Sequence, residues 1–153
     1  STFYAVDRYA SYKKVWGKWY EQGGLVVSDR YTTSNAVHQA SKEPEEKRKD
    51  FLKWLYELEY DHMGLPRPDL VLYLDVPTDF TEMLLRSREA ATGTHADIHE
   101  ADTQYLSASR RMGRSAAEYY GWTLISCGEK GKMRSIQDIH EEIYRYVTKC
   151  LEE

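Results

Sequence analysis

Cysteine, proline and phenylalanine are scarce in this chain, and long apolar runs are absent. The two cysteines among 153 residues, Cys127 and Cys150, exclude a disulfide-dense scaffold, and their separation is not a metal-ligand spacing. They are expected to be reduced thiols, which suits the cytoplasm. No run approaches the roughly 20 apolar residues of a membrane-spanning helix, and Ser1-Thr2-Phe3-Tyr4 shows neither the basic nor the apolar region of a leader. No membrane partner is therefore expected. Basic charge is not in excess either: 21 Lys and Arg against 25 Asp and Glu leave a net charge of -4. Such a balance gives no footprint for a nucleic-acid partner.

What the chain does have is enough apolar residues for a core, 41% of the total, and a pattern that alternates strands with helices. Ala5, Tyr9, Tyr12, Trp16 and Trp19 recur at three and four, predicting a helix that Gly23-Gly24 ends. Leu25-Val26-Val27-Ser28 reads as a short buried strand, followed by a loop at Asp29-Arg30-Tyr31. A short helix is expected over Asn35 to Ala40 with Ser34 as its cap. A long helix then starts near Pro44, carries Phe51, Leu55, Leu58 and His62, and stops at Gly64. Leu70 to Leu74 is the clearest strand, with Asp75 at its end and Thr78 set to cap a helix running to about Arg88. Residues 89–102 are poor in large apolar side chains and are expected to be an exposed, mobile lid. A helix over Thr103 to Tyr120, a strand over Trp122 to Ser126, a polar loop from Gly128 to Arg134 and an amphipathic helix through Ile136, Ile139, Ile143 and Val147 complete the order. Strands joined through helices predict an α/β fold with a parallel sheet covered on both faces, in one domain over 1–153. Ligands of such sheets sit at the carboxyl ends of strands. That rule selects Asp29-Arg30, Asp75 and Cys127-Gly128.

The chemistry available there is anionic recognition. Arg30 can clamp a phosphate while Asp29 helps hold a hydrated Mg²⁺, although a strand-end ion pair would use the same two residues. Tyr4 and Arg8 lie four apart on one helical face, where a ring can stack a base and a guanidinium can reach its phosphate; an aromatic core stripe with a surface arginine fits equally. Ser34, Asn35, His38 and Gln39 supply donors and acceptors for the edge of a pyrimidine, while capping alone accounts for Ser34. Arg86 and Arg88 can neutralise charge on a transferring phosphoryl group, or simply complement the dipole of their helix. His95, Asp97, His99 and Asp102 have the residue types of a metal cluster without an apolar frame around them, so solvated polarity is the expectation.

The run Asp29-Arg30-Tyr31-Thr32-Thr33-Ser34-Asn35-Ala36-Val37-His38-Gln39 resembles the signature of thymidylate kinases. Phe3 to Arg8, Pro68 to Pro77, Arg86-Ser87-Arg88 and Asp97 to Glu100 extend the resemblance over nearly the whole chain. It implies a three-layer α/β/α, P-loop kinase-like parallel sheet and transfer of the γ-phosphate of ATP to dTMP. Within it, dTMP stacks on Tyr4, its phosphate is held by Arg8 and Arg30, and its base is read near Ser34, Asn35 and Gln39. His38 occupies the position where the family places an aromatic hydroxyl. The resemblance further implies that Asp29 assists Mg²⁺, that Arg86 and Arg88 approach ATP, that Glu100 contacts the acceptor, and that Cys127 to Lys130 flank adenine. Asp29, Arg30, Arg86 and Glu100 form the implied catalytic set, and a homodimer through the long helices is implied as well.

The family's phosphate cradle, a glycine-rich turn followed by Lys and Ser or Thr, has no counterpart here. Gly17-Lys18 runs into Trp19 and Gly131-Lys132 into Met133. An upstream segment carrying this loop and a central strand is therefore expected in the parent protein, or else direct pairing of the 25–28 strand with the 70–74 strand. Two readings stand beside the kinase. A deoxynucleoside kinase would leave Arg8 and Arg30 without an anionic partner, and a fragment lacking its cradle would bind a nucleotide without turnover.

Overall fold

The computed structural model describes residues 2–92 and 103–152, with the backbone alone for residues 82, 86, 88, 89, 92 and 103. The chain forms two compact units, Ser1–Arg67 and Pro68–Glu153.

The first unit is helical. The expected opening helix is present but not uniform: α1 (Thr2–Ser11) widens into a π-helical turn over Tyr12–Trp16 before α2 (Gly17–Glu21). A π turn closes hydrogen bonds five residues apart, here Gly17 N–H to Tyr12 O, and inserts a residue into the helical register. Gly17 is needed at this close approach, since a Cβ there would lie 2.6 Å from the Tyr12 ring and carbonyl. The wider turn gathers Trp16 against Tyr12, Tyr20 and Tyr31 at centroid distances of 4.9, 5.9 and 6.2 Å.

Leu25–Ser28 forms no strand, contrary to the expectation from its composition. A strand exists only as a member of a ladder, and residues 25–28 enter none; Val27 is 84% exposed. Helix α3 spans Thr33–His38, so Thr32 rather than Ser34 occupies the cap position. A short 3-10 turn over Ala40–Lys42 follows. Pro44 precedes a second 3-10 turn, Glu45–Lys47, which leads into α4 (Arg48–Tyr56) and a second π-helical segment, Glu57–His62. The core of this unit is Ala5, Tyr12, Ala36, Ala40, Leu52, Leu55 and Leu65, joined by the buried polar residues Thr32, Asn35 and Glu59.

The second unit is α/β. Strands β1 (Leu72–Asp75) and β2 (Thr123–Ser126) pair in parallel, with Leu72 opposite Thr123 and Asp75 opposite Ser126. Parallel neighbours require a crossover. The described part of this one consists of α5 (Thr78–Thr92) and α6 (Thr103–Tyr120). Helix α5 starts at Thr78 itself, with the Pro77 carbonyl accepting from Phe80 and Thr81 N–H, and runs four residues past Arg88 into the expected lid. The rest of the lid, residues 93–102, lies outside the described residues, as do His95, Asp97, His99, Glu100 and Asp102.

Helix α6 turns Ser109, Met112, Ala116 and Ala117 inward, with Gly113 letting the Tyr73 phenol approach. A Cβ at Gly113 would sit 2.2 Å from the Tyr73 hydroxyl. The polar loop after β2 contains a small antiparallel hairpin, β3 (Gly128–Glu129) with β4 (Lys132–Met133). Helix α7 (Ile136–Glu152) is capped by Ser135, whose Oγ accepts from Asp138 N–H at 3.0 Å and donates to its carboxylate at 2.6 Å. The architecture is thus helix-rich with a small parallel sheet. The three-layer sheet expected from the resemblance is larger than the two parallel strands present among the described residues.

Candidate functional site

In the first unit two of the expected acceptor residues, Arg8 and Asn35, meet at one buried carboxylate, Glu59. Glu59 sits on the π-helical segment Glu57–His62, and its side chain is 0% exposed. Arg8 Nε donates to Glu59 Oε2 and a terminal Arg8 nitrogen to Oε1, both at 2.7 Å, a bidentate fork. Asn35 Nδ2 donates to the same Oε1 at 3.0 Å. One buried oxygen therefore links α1 to α3. Burying a carboxylate is expensive unless it is paired and hydrogen-bonded, and Arg8 and Asn35 meet both conditions. A signal for Glu59 was present in the sequence: it lies seven residues after Leu52 and four after Leu55, on the stripe that faces the core.

The same segment anchors the loop that precedes α3. Tyr60 Oη and Thr32 Oγ1 share a hydrogen bond of 2.5 Å, and Tyr31 Oη donates to the Pro66 carbonyl at 3.1 Å. Burial pushes the Tyr60 phenol up to about 12, and it raises Tyr31 further still, so both stay neutral at ordinary pH. Arg67 lies over the rings of Tyr56 and Tyr60, 4.3 and 5.3 Å from their centroids, and pairs with Asp61.

Arg30 adopts a left-handed backbone conformation, φ 69°, an uncommon state for a residue with a Cβ. The turn is braced by Ser28 Oγ, which donates to the Arg30 carbonyl at 2.8 Å. The guanidinium is exposed and donates through Nε to Ser34 Oγ at 3.0 Å. Among the described residues it has no carboxylate partner, in contrast to Arg8. Asp29 beside it is exposed, Tyr4 presents its ring 61% exposed, and His38 and Gln39 are half-buried at the end of α3. Asp29 and Arg30 therefore do not form the ion pair that their adjacency allowed.

In the second unit Asp75 ends β1 with its side chain 4% exposed. It accepts from Arg110 Nε and NH2 at 2.6 and 3.0 Å and from Arg114 at 2.9 Å. Arg110 holds this carboxyl below its ordinary value, the guanidinium bonds outweighing burial. Cys127 at the end of β2 points into the core, 2% exposed, and burial pushes its thiol up. Its backbone is also committed, N–H to the Asp75 carbonyl at 3.0 Å and C=O from Arg134 N–H at 2.9 Å. Lys130, at the hairpin tip, is 88% exposed. Arg86 and Arg88 lie on α5, and their side chains are outside the described residues. Both cysteines are free thiols. Among the described residues no group of three metal-ligating side chains occurs, and no helix is long and apolar enough to cross a membrane.

These features define a helix-rich α/β chain with an exposed arginine on the loop before α3. A family model described as Thymidylate kinase matches residues 1–143, and the chain belongs to that family. It is similar to the thymidylate kinases of Mycobacterium tuberculosis strains CDC 1551 / Oshkosh and ATCC 25618 / H37Rv, each 28% identical over 127 residues, 80% of this chain and 56% of theirs. It is also similar to a probable thymidylate kinase of Pyrobaculum aerophilum, 30% identical over 122 residues, 76% of this chain and 54% of that protein. The chain spans about half the length of the curated relatives it matches. No solved structure matches it.

Proposed function

We propose that this chain is the acceptor-binding part of a thymidylate kinase, which transfers the γ-phosphoryl group of ATP to the phosphate of dTMP and releases dTDP and ADP. A phosphate oxygen of dTMP forms the new bond to the γ-phosphorus, and the bond to the β–γ bridging oxygen breaks. Such transfer depends on positioning and charge stabilisation rather than on a protein nucleophile. In this reading Tyr4 stacks the base, Arg8 and Arg30 hold the dTMP phosphate, and Ser34, Asn35, His38 and Gln39 face the thymine. Arg30 contributes a charge left unmatched by any carboxylate among the described residues, whereas Arg8, balanced by Glu59, contributes directed N–H groups.

Mg²⁺ keeps most of its waters and takes one or two carboxylates together with substrate phosphates. Asp29 fits that demand as a single exposed carboxylate next to Arg30. The ion, when bound, would neutralise charge on the phosphates. Arg86, Arg88 and Lys130 serve ATP, Cys127 shapes the floor of that loop, and Glu100 meets the acceptor. The protein acts in the cytoplasm as a homodimer with a three-layer P-loop kinase fold.

The observation that carries the reading is the exposed Arg30 guanidinium, held open on a strained turn within a stretch that belongs to this family. Calorimetric titration of the chain with dTMP and with thymidine tests it. The expected result is dTMP binding at least about tenfold more tightly, a preference that Arg30→Ala reduces to about threefold or less while the melting temperature is kept. Equal affinities for dTMP and thymidine in the parent chain would refute the phosphate assignment.

A further inference from the structure

We infer that Glu59 is a positioning residue of the acceptor site, acting chiefly through Arg8 and only secondarily through Asn35; this rests on the kinase reading above. The carboxylate does not reach solvent and so has no direct access to a ligand. Its two oxygens nevertheless set the geometry of two side chains that face the acceptor. Two parallel bonds of 2.7 Å lock the plane of the Arg8 guanidinium, and the bond to Nδ2 fixes which way the Asn35 amide is turned. A long arginine side chain left unpaired samples many rotamers, and ordering it on binding costs affinity. Glu59 meets that cost before the nucleotide arrives.

The local fold is specialised for this task. Glu59 lies early in a π-helical segment, on the stripe set by Leu52 and Leu55, while Tyr60 on the same segment bonds Thr32 at the cap of α3. The segment thus carries both the group that aims Arg8 and the group that secures the helix bearing Asn35. Lost charge at position 59 is expected to weaken binding of the nucleotide while leaving the phosphate contact of Arg30 intact.

The test is a double-mutant cycle on the purified chain with dTMP titrated by calorimetry. Glu59→Gln keeps the size of the side chain but offers Arg8 one acceptor and turns an amide N–H group toward the guanidinium. Its dTMP affinity is expected to fall about tenfold, whereas in an Arg8→Ala background the same change alters affinity by less than about twofold, because the partner through which it acts is gone. A merely structural role would penalise both backgrounds equally, and that outcome overturns the inference. Unchanged dTMP affinity in Glu59→Gln, with Arg8→Ala impaired, overturns the inference and leaves the kinase reading standing. Unchanged affinity in Arg8→Ala removes Arg8 from the acceptor site and the inference with it. Should Glu59→Gln fail to fold, Glu59→Asp keeps the charge but is one methylene too short for the fork. It is expected to lose about threefold in the parent background and nothing in Arg8→Ala, and a parent-like affinity refutes the proposal.

Discussion

Replacing Asp75 by asparagine removes a buried negative charge while preserving shape, and its cost can be worked from the contacts. The Asp75 side chain is 4% exposed, Arg110 30% and Arg114 55%. Asparagine retains one carbonyl acceptor and turns an amide toward a guanidinium, so the bond from Arg110 Nε fails when the carbonyl keeps the Oδ2 position, and two bonds fail when it keeps the Oδ1 position. A hydrogen bond to a charged group contributes about 1.5–3 kcal/mol when shielded. Water reaches Arg114, which lowers its share to about 0.2–1 kcal/mol. The expected loss is about 2–3 kcal/mol at neutral pH, read as a urea-unfolding midpoint by circular dichroism, with a melting temperature lower by roughly 5–10 °C.

Acid supplies the internal control. Asp75 has its folded value lowered from the ordinary 3.8, so its stabilisation is complete above 3.8 and fades as pH falls through the lower folded value. Parent and variant should therefore converge in stability below that range. A loss under about 0.5 kcal/mol at neutral pH, or an undiminished gap in strong acid, would refute the assignment of Asp75 as the charge centre of this unit.

Two further outcomes are expected. Tyr60→Phe removes the bond to Thr32 and should destabilise by about 1 kcal/mol. Because the Tyr60 phenol is raised from 10.0 to about 12, its contribution is full below 10.0 and is lost as pH rises toward 12; phenolate absorbance in the variant should lose one phenol that titrates near 12. Val27→Ser, at a position 84% exposed, should change the stability of this chain by less than about 0.5 kcal/mol in thermal melts, whereas a buried strand residue would cost several times more.

The elements with internal evidence were legible in the sequence. Helix α6 runs from Thr103 to Tyr120 as its spacing predicts, and β1 and β2 lie within one or two residues of the expected strands. Failures arose where structure depends on something outside the segment. Leu25–Ser28 has strand composition but no strand neighbour among the described residues, and composition cannot supply one. The π-helical turns were invisible because an apolar stripe at threes and fours looks the same with one residue inserted; Tyr9, counted in that stripe, is 36% exposed. Arg8, Arg30 and Asn35 were read from their chemistry, but Glu59 was passed over because a lone carboxylate in a helix is ordinarily solvated. Similarly, nothing near Asp75 announces Arg110 and Arg114, which arrive from 35 and 39 positions away.

The backward-bent main chain at position 30 sets durability against use. Glycine, and to a lesser degree asparagine, would sit in that conformation without the penalty of about 1 kcal/mol that a longer side chain incurs. Replacement by glycine there therefore leads to a sturdier molecule that has given up its grip on an anion. A search that selects on heat tolerance alone would discard this arginine early, and one that selects on nucleotide capture would keep it at a standing thermodynamic loss.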